Sequence, residues 1–322
     1  VKNAAWWSSV LAAVTASAPV IGQEYPAKPI RFIVTYPPGA ASDTLARIIG
    51  QKLTDSWHQQ VVVDNRAGGN TLIGTEMGAK SAADGYTLFM GQVQNMAIVP
   101  QLYKRLPYDT LKDFAPVTFI GYAPLILVVN PALSAKSVKE LIELAKSKPG
   151  QLKFSSSGSG GSTHLAGELF KSMAGVDMVH IPFQGGTAPL LALMNGQVDL
   201  GFDSIVQALP HVKTGRLRVL AITSAKRSLA APEVLTIAEA GLPGFEVAPW
   251  FGVAVPAGTP RNIVGKLNSE INAIIQSADV KERLSRLGVE TFGTTPEQFA
   301  AHLKAENTKW AKVVKDAGAR VD

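Results

Sequence analysis

The sequence predicts an α/β fold of two domains facing a cleft. Three observations carry this expectation. Strand-like apolar runs alternate with helical spacing through the chain after its first 22 residues. A long apolar stretch, Val117 to Val129, interrupted by Gly121 and Pro124, divides that alternation into two runs and is expected to cross between domains. Several strand-to-helix joints are rich in Gly, Ser or Pro, and in such sheets ligands sit beyond the carboxyl ends of the strands, near helix N-termini.

The elements follow in order. Ile30 to Thr35 reads as a buried strand, and Leu45, Ile48, Ile49, Leu53 and Trp57 recur at helical spacing. Val61 to Val63 is the next strand. Gly68-Gly69 turns the chain into a helix over about 72–82, and Asp84-Gly85 leads to a strand over Tyr86 to Met90. Right-handed crossovers build β-α-β-α-β into a parallel sheet. After the crossing, helices are expected over Val138–Ser147, around Leu165, Leu169 and Met173, over Thr187–Met194 and through Pro210. Strands are expected over Leu152–Ser155, Met178–Ile181, Val198–Phe202 and Arg218–Thr223. Three helical patterns near 261–276, 279–287 and 296–317 are expected to pack back on the first domain. The expected division is residues 1–22 as a leader, 23–121 and 224–322 as the first domain, and 122–223 as the second. No internal repeat is strong enough to name.

Composition narrows the classes. With 322 residues, 46% of them hydrophobic, the chain can bury one large core or two ordinary ones. The absence of cysteine removes disulfides, thiol nucleophiles and Cys-based zinc sites. The formal charge is +6, but the cations are dispersed and mixed with acids, as in Lys139, Glu140, Glu143 and Lys146. That is a solvated surface, and no nucleic-acid partner is expected. Lys2, the apolar or small run Ala4 to Val14 and Val20-Ile21-Gly22 before Gln23 have the form of an export leader cleaved after Gly22, because Pro19 obstructs the earlier Ala16-Ser17-Ala18 site.

The loops beyond the strands supply the candidate site. In the first, Pro38, Gly39, Ala40, Ala41, Ser42 and Asp43 join strand to helix. Gly39 lets backbone approach a ligand, and Ser42 is the expected N-cap of amides that suit a carboxylate. The second loop, Ser155 to His164, repeats the design with Ser156, Ser157, Gly158, Gly161, Ser162 and His164. It lacks the Gly-Lys-Ser/Thr ending of a phosphate loop and is not a G-x-S-x-G elbow. The third holds Gln184, Gly185 and Gly186, with Thr187 as the expected cap. Gly91 to Asn95, with Gln92 and Gln94, is a fourth, and Asp203-Ser204 a fifth. The five histidines are scattered without metal-ligand spacing, and no carboxylate pair is spaced for acid–base work. No metal or cofactor is expected.

At these loops the sequence resembles the Bug family, the periplasmic receptors of tripartite tricarboxylate transporters. The resemblance rests on Lys28-Pro29-Ile30, the Pro-Pro-Gly-x-x-x-Asp loop ending at Asp43, Val61 through Arg66, Asp84 through Leu88, Ser156-Ser157-Gly158 and His164-Leu165. Gly196 through Asp199, Pro210-His211, Gly241 through Gly244, Pro256 through Pro260 and Lys309-Trp310 complete it. It implies a two-domain Venus-flytrap fold of the type II periplasmic-binding-protein kind. It also implies a ligand carboxylate gripped by main-chain amides and waters in the first-domain loop, and closure of the second domain over the rest. The positions it matches are Pro38 to Asp43, Ser156 to His164 and Gly185-Gly186. The implied protein is a non-enzymatic, monomeric receptor that delivers a small carboxylate to membrane subunits, with hinge motion near Gly121–Pro124 and Thr223–Ala225. Ala40 stands where the family usually has a second Gly, Gln184 where it often has a cation, and Gln92 and Gln94 where residues are often smaller. A signalling receptor, or a hydrolase using Ser162 and His164, is the alternative reading.

Overall fold

The computed structural model describes residues 25–183 and 187–316. The expected leader and the loop residues Gln184, Gly185 and Gly186 lie outside the described residues.

The first half opens with strand β1 (Ile30–Val34), helix α1 (Ala41–Trp57), β2 (Val61–Asn65), α2 (Leu72–Ala79) and β3 (Thr87–Gln92). β1 shows why this pattern makes a two-faced strand. Ile30, Phe32 and Val34 point to one side, where they pack with Leu45, Ile48, Ile49 and Leu53 of α1. Ile33 points to the other face and joins the core that holds Phe89 and Phe119. β1 pairs in parallel with both β2 and β3. After β3 come a π-type turn over Gln94–Ile98 and the short α3 (Val99–Leu102), then β4 (Phe114–Tyr122). The expected fourth loop is therefore mostly ordered structure: Gly91 and Gln92 still belong to β3, and Gln94 and Asn95 open the π-turn.

The chain crosses at Ala123-Pro124 into β5 (Leu125–Val129). The second half continues through α4 (Val138–Ser147), β6 (Lys153–Ser156), α5 (Ser162–Ala174), β7 (Val179–Pro182), α6 (Ala188–Met194), β8 (Leu200–Ser204), α7 (Ile205–Lys213) and β9 (Arg218–Ile222). The chain returns through β10 (Trp250–Pro256), α8 (Arg261–Gln276), α9 (Ala278–Arg286), β11 (Glu290–Thr291) and α10 (Pro296–Asp316).

Two sheets result, ordered β11-β4-β10-β3-β1-β2 and β7-β6-β8-β5-β9. They share a plan. In each, the first strand of a β-α-β run lies between its second and third, and one antiparallel strand is inserted beside the third. That inserted strand, β10 or β5, is in both cases the first to follow a crossing from the other half. The duplication is one of topology, carried without a repeat in the sequence.

Three features differ from the expectations. β10 was not anticipated, yet it sits in the middle of the first sheet with all seven residues buried. Residues beyond Thr223 do not return at once to the first half. Ile222 bridges Thr236, and Phe245 packs its ring against Phe170 and Phe202, so this segment stays on the second sheet. The return crossing lies near Val247–Trp250, where Val247 N–H donates to Thr223 O at 2.8 Å and Ala123 N–H donates to Pro249 O at 2.6 Å. The chain therefore crosses back later than the expected Thr223–Ala225. Finally, α10 covers the first sheet but also reaches α5, so its Leu303, Trp310 and Val314 share one core with Phe154, Phe170 and Phe202 of the second half. Buried Glu306 anchors this helix by accepting from the indoles of Trp250 at 3.0 Å and Trp310 at 2.9 Å. Among the described residues no helix is long and apolar enough to cross a membrane.

Candidate functional site

A cavity of about 560 Å3 opens between the halves. Its walls follow the carboxyl ends of parallel strands: Tyr36 and Pro37 after β1, Asn70 after β2, Gln94 after β3, and Ser157 to Thr163 after β6. This is where the strand order of an open α/β sheet leaves a crevice. The halves meet at its rim, since a methyl group at Gly160 would lie 3.0 Å from Leu102 Cδ1 and 4.0 Å from Asn70 Nδ2.

The β1–α1 loop is held by a charged clamp. Asp43, 2% exposed, accepts from Gly39 N–H at 2.8 Å, from Arg47 Nε at 3.0 Å and from Asn65 Nδ2 at 2.9 Å. Asn65 also donates to Tyr36 O at 2.9 Å. Burial by itself would raise the Asp43 carboxyl, but these donors hold it below the usual carboxylate range. The expected cap is corrected: Ala40 occupies the N-cap position, and Ser42 is a buried residue inside the first turn that makes no capping bond. The helical ladder starts with Thr44 N–H on Ala40 O, so the amides of Ala41, Ser42 and Asp43 precede it. Gly39 adopts φ +86°, and its missing Cβ would point into open space. A side chain there is opposed by backbone strain, not by a neighbour.

The β6–α5 loop is held by neutral groups. Thr163 Oγ1 accepts from Ser157 N–H at 2.9 Å, Ser156 Oγ from Gly158 N–H at 3.2 Å, and His164 Nδ1 from Gly160 N–H at 3.0 Å. Behind the loop, Phe154, His180 and His164 stack, the two imidazoles 3.9 Å apart. Ser156 Oγ lies 2.6 Å from His180 Nε2. Burial lowers both imidazoles to about 4, with Lys171 adding to it, although Glu168 lies 3.7 Å from His164 Nε2. His164 is neutral at Nδ1 because that nitrogen accepts a backbone N–H. Its ring is thus a loop strut, and Ser162 and His164 form no nucleophile–base pair.

The expected residues divide three ways. Gln94, Ser157, Gly158, Gly161 and Ser162 line the cavity. Pro38, Gly39, Ala40, Ala41, Ser42 and Asp43 shape the adjoining loop without lining it, and Ser156 and His164 brace the second loop from behind. Gln92 and Asp203 are buried in β3 and β8 and do not line the cavity. Burial pushes the Asp203 carboxyl up to about 6. Tyr36, Pro37, Ser159 and Thr163 fall within the loops the sequence marks without being singled out there, and Asn70 was missed. Asn70 has φ 52°, and an Asn directly after Gly68-Gly69 was a signal for a left-handed position.

Two other cavities of similar size lie elsewhere. One, about 420 Å3, lies beside the crossing segments near Phe119, Tyr122 and Phe292, and the other, about 660 Å3, lies between α3 and α10. The first borders the ends of β4 and β9, but neither is lined by the strand-to-helix loops before α1 and α5. No group of three or more metal-ligating side chains occurs among the described residues.

Two α/β halves, two crossings and a crevice between strand-end loops define a two-domain fold of the periplasmic-binding-protein class. The profile of the tripartite tricarboxylate transporter family receptors matches residues 45–319, and the chain belongs to that family. It is 40% identical to protein BugT of Bordetella pertussis over 306 residues, 95% of this chain and 94% of BugT. Among solved structures it is similar to R. palustris Rpa4515 with adipate, at 37% identity and TM-score 0.80, covering 92% of this chain and 99% of that one. It is also similar to MatC (Rpa3494) from Rhodopseudomonas palustris with bound malate, at 30% identity and TM-score 0.76, covering 90% and 100%.

Proposed function

We propose that this chain is a monomeric periplasmic receptor that captures a small carboxylate by domain closure and delivers it to the membrane subunits of a tripartite transporter. The observation that carries the reading is the interdomain cavity, walled by neutral donors and bounded by the N-terminal ends of α1 and α5. Helix N-termini favour negative charge, and hydrogen bonds to a charged group are worth about 1.5–3 kcal/mol each. A few such bonds reach micromolar affinity, about −8 kcal/mol, after the costs of association. Relatives solved with adipate and with malate support a carboxylate as the occupant. The bound halves are held by contacts to both loops, so ligand favours the closed form. Motion is absorbed at Ala123-Pro124 and near Val247–Trp250.

Native mass spectrometry of protein from the periplasmic fraction, followed by a thermal-shift panel of carboxylic acids, tests the reading. A co-purifying acid and a shift of several degrees at about 100 times its dissociation constant are expected. Small-angle scattering should then show a smaller radius of gyration with the acid bound. A panel without a single shift would overturn the reading. N-terminal sequencing of the exported protein checks the leader, with Gln23 expected as the first residue.

A further inference from the structure

The cavity of about 420 Å3 beside the crossing segments belongs to both halves. Phe119 and Tyr122 of β4 and Phe292, just beyond β11, wall it from the first half. Ser224 and Ala225, just beyond β9, wall it from the second, and Ala248 lies on the return crossing. The two walls are tied where Glu290 of β11 accepts from Ser228 Oγ at 2.7 Å and from Leu229 N–H at 3.0 Å. This is an interface between the halves and not a dent in one of them.

The strand order puts it opposite the ligand cleft. In the first sheet β4 and β10, which carry the crossings, stand between β11 on one side and β3, β1 and β2 on the other. The cleft follows the ends of β1, β2 and β3, whereas the second cavity follows β4 and β11. In the second sheet the cleft follows β6 and the second cavity follows β9, with β8 and β5 between them. The crossings are therefore a fulcrum. A rotation about them that parts the cleft walls brings the rear walls together. In this structure the halves touch at the cleft rim, where Gly160 approaches Leu102, and the rear cavity is correspondingly wide. Packed walls do not compress, so bulk placed in the rear space opposes the open form and leaves the closed form unstrained.

Resting on the domain closure of the receptor reading above, we propose that the rear cavity is the space taken up when the cleft opens, and that its free volume sets the balance between open and closed forms. Ala225 keeps that space on one wall, and Phe292 fills part of it from the other. A variant that shifts the balance toward closure holds an acid more tightly, by about tenfold if closed molecules rise from about a tenth of the free population to nearly all of it.

The test measures the opening itself. The chain has no cysteine, so Ile73→Cys on α2 and Leu191→Cys on α6, both at exposed positions and one in each half, take spin labels without a competitor. Electron–electron resonance then gives the distance across the cleft in protein free of ligand. Ala225→Trp should shorten the mean distance by several ångströms, and Phe292→Ala should lengthen it. A shift of the expected sign in one variant without a reverse shift in the other supports the proposal, and if one variant does not fold the other decides. No shift in either, or a reverse shift in one, overturns it while leaving the receptor reading intact. If the free natural protein shows only the distance of the closed arrangement, domain closure on ligand fails, and this inference with it.

Discussion

The β1–α1 and β6–α5 loops occupy equivalent places in two sheets of the same topology, yet they are held by different chemistry. The first depends on one buried carboxylate, Asp43, that gathers a backbone amide, an amide side chain and the Arg47 guanidinium. The second depends on a threonine, a serine and a neutral histidine, each accepting one backbone N–H. The carboxylate inside the first loop occupies the Gly39 amide, and its charge is compensated locally by Arg47. The second loop adds no charge to the cleft. The topology demands a tight, amide-presenting turn in both halves, while the side chains that secure it are free to differ.

The largest test of this contrast is Asp43→Ala. It leaves Gly39 N–H and one of the two Asn65 Nδ2 hydrogens without an acceptor and should cost about 3 kcal/mol. Arg47 is half exposed, so its lost partner adds little. Urea denaturation measures the loss, and a change below about 1 kcal/mol would show that the clamp does not secure the first loop.

Acid should separate the loops next. The folded pKa values of His164 and His180, about 4, lie below the ordinary 6.5. As pH falls the unfolded chain therefore takes up protons first, and stability is lost between about pH 6.5 and about pH 4. Asp203 works in the opposite direction. Its folded pKa of about 6 exceeds the ordinary 3.8, so the native state binds more protons over that interval and gains from acidification. Two imidazoles against one carboxyl leave a net loss, on the order of 2 kcal/mol once partial hydration of the rings is allowed for. The Asp43 clamp, whose pKa is lowered, should hold through this range. Melting temperatures measured from pH 7 to pH 4 should decline, and less so in His180→Gln. A flat profile for the natural protein would remove acid sensitivity from the second loop.

The smallest effect is expected for Thr163→Ala, which deletes a single neutral bond to Ser157 N–H and should cost about 1 kcal/mol. Thr163→Ser keeps the hydroxyl and should melt within a degree or two of the natural protein. If the serine variant loses as much as the alanine variant, packing of the threonine methyl, and not its hydroxyl, secures the loop.

Much of the fold was legible because its causes are local. α4 runs over Val138–Ser147 as expected, since Ser137 accepts from Glu140 N–H and Glu140 reaches back to accept from Lys136 N–H. β1 announced itself as a buried apolar run and α1 by helical apolar spacing. The candidate site was legible as a set of loops, and five of its expected residues line the cavity. Its internal bonding was not. Ser42 has the composition of a cap, but Asp43 reaches Gly39 first and the helix begins two residues earlier than a Ser42 cap requires.

The sequence by itself determined which segments are strands and helices over most of the chain, where the Gly- and Ser-rich loops fall, and that the chain is divided by one crossing near Gly121–Pro124. Those features depend on neighbours a few residues away. Only the tertiary structure decided the rest. Whether Trp250–Pro256 becomes a central strand depends on β3 and β4, more than 100 residues earlier, offering it two ladder edges. Whether residues 224–246 stay with the second half depends on Ile222 and on the rings of Phe170 and Phe202. That the cavity-lining Gln94 and Asn70 meet in a side-chain hydrogen bond depends on bringing together two loops 24 residues apart. Hydrogen bonds between distant segments must be satisfied once water is excluded, and no local pattern records which partner will satisfy them.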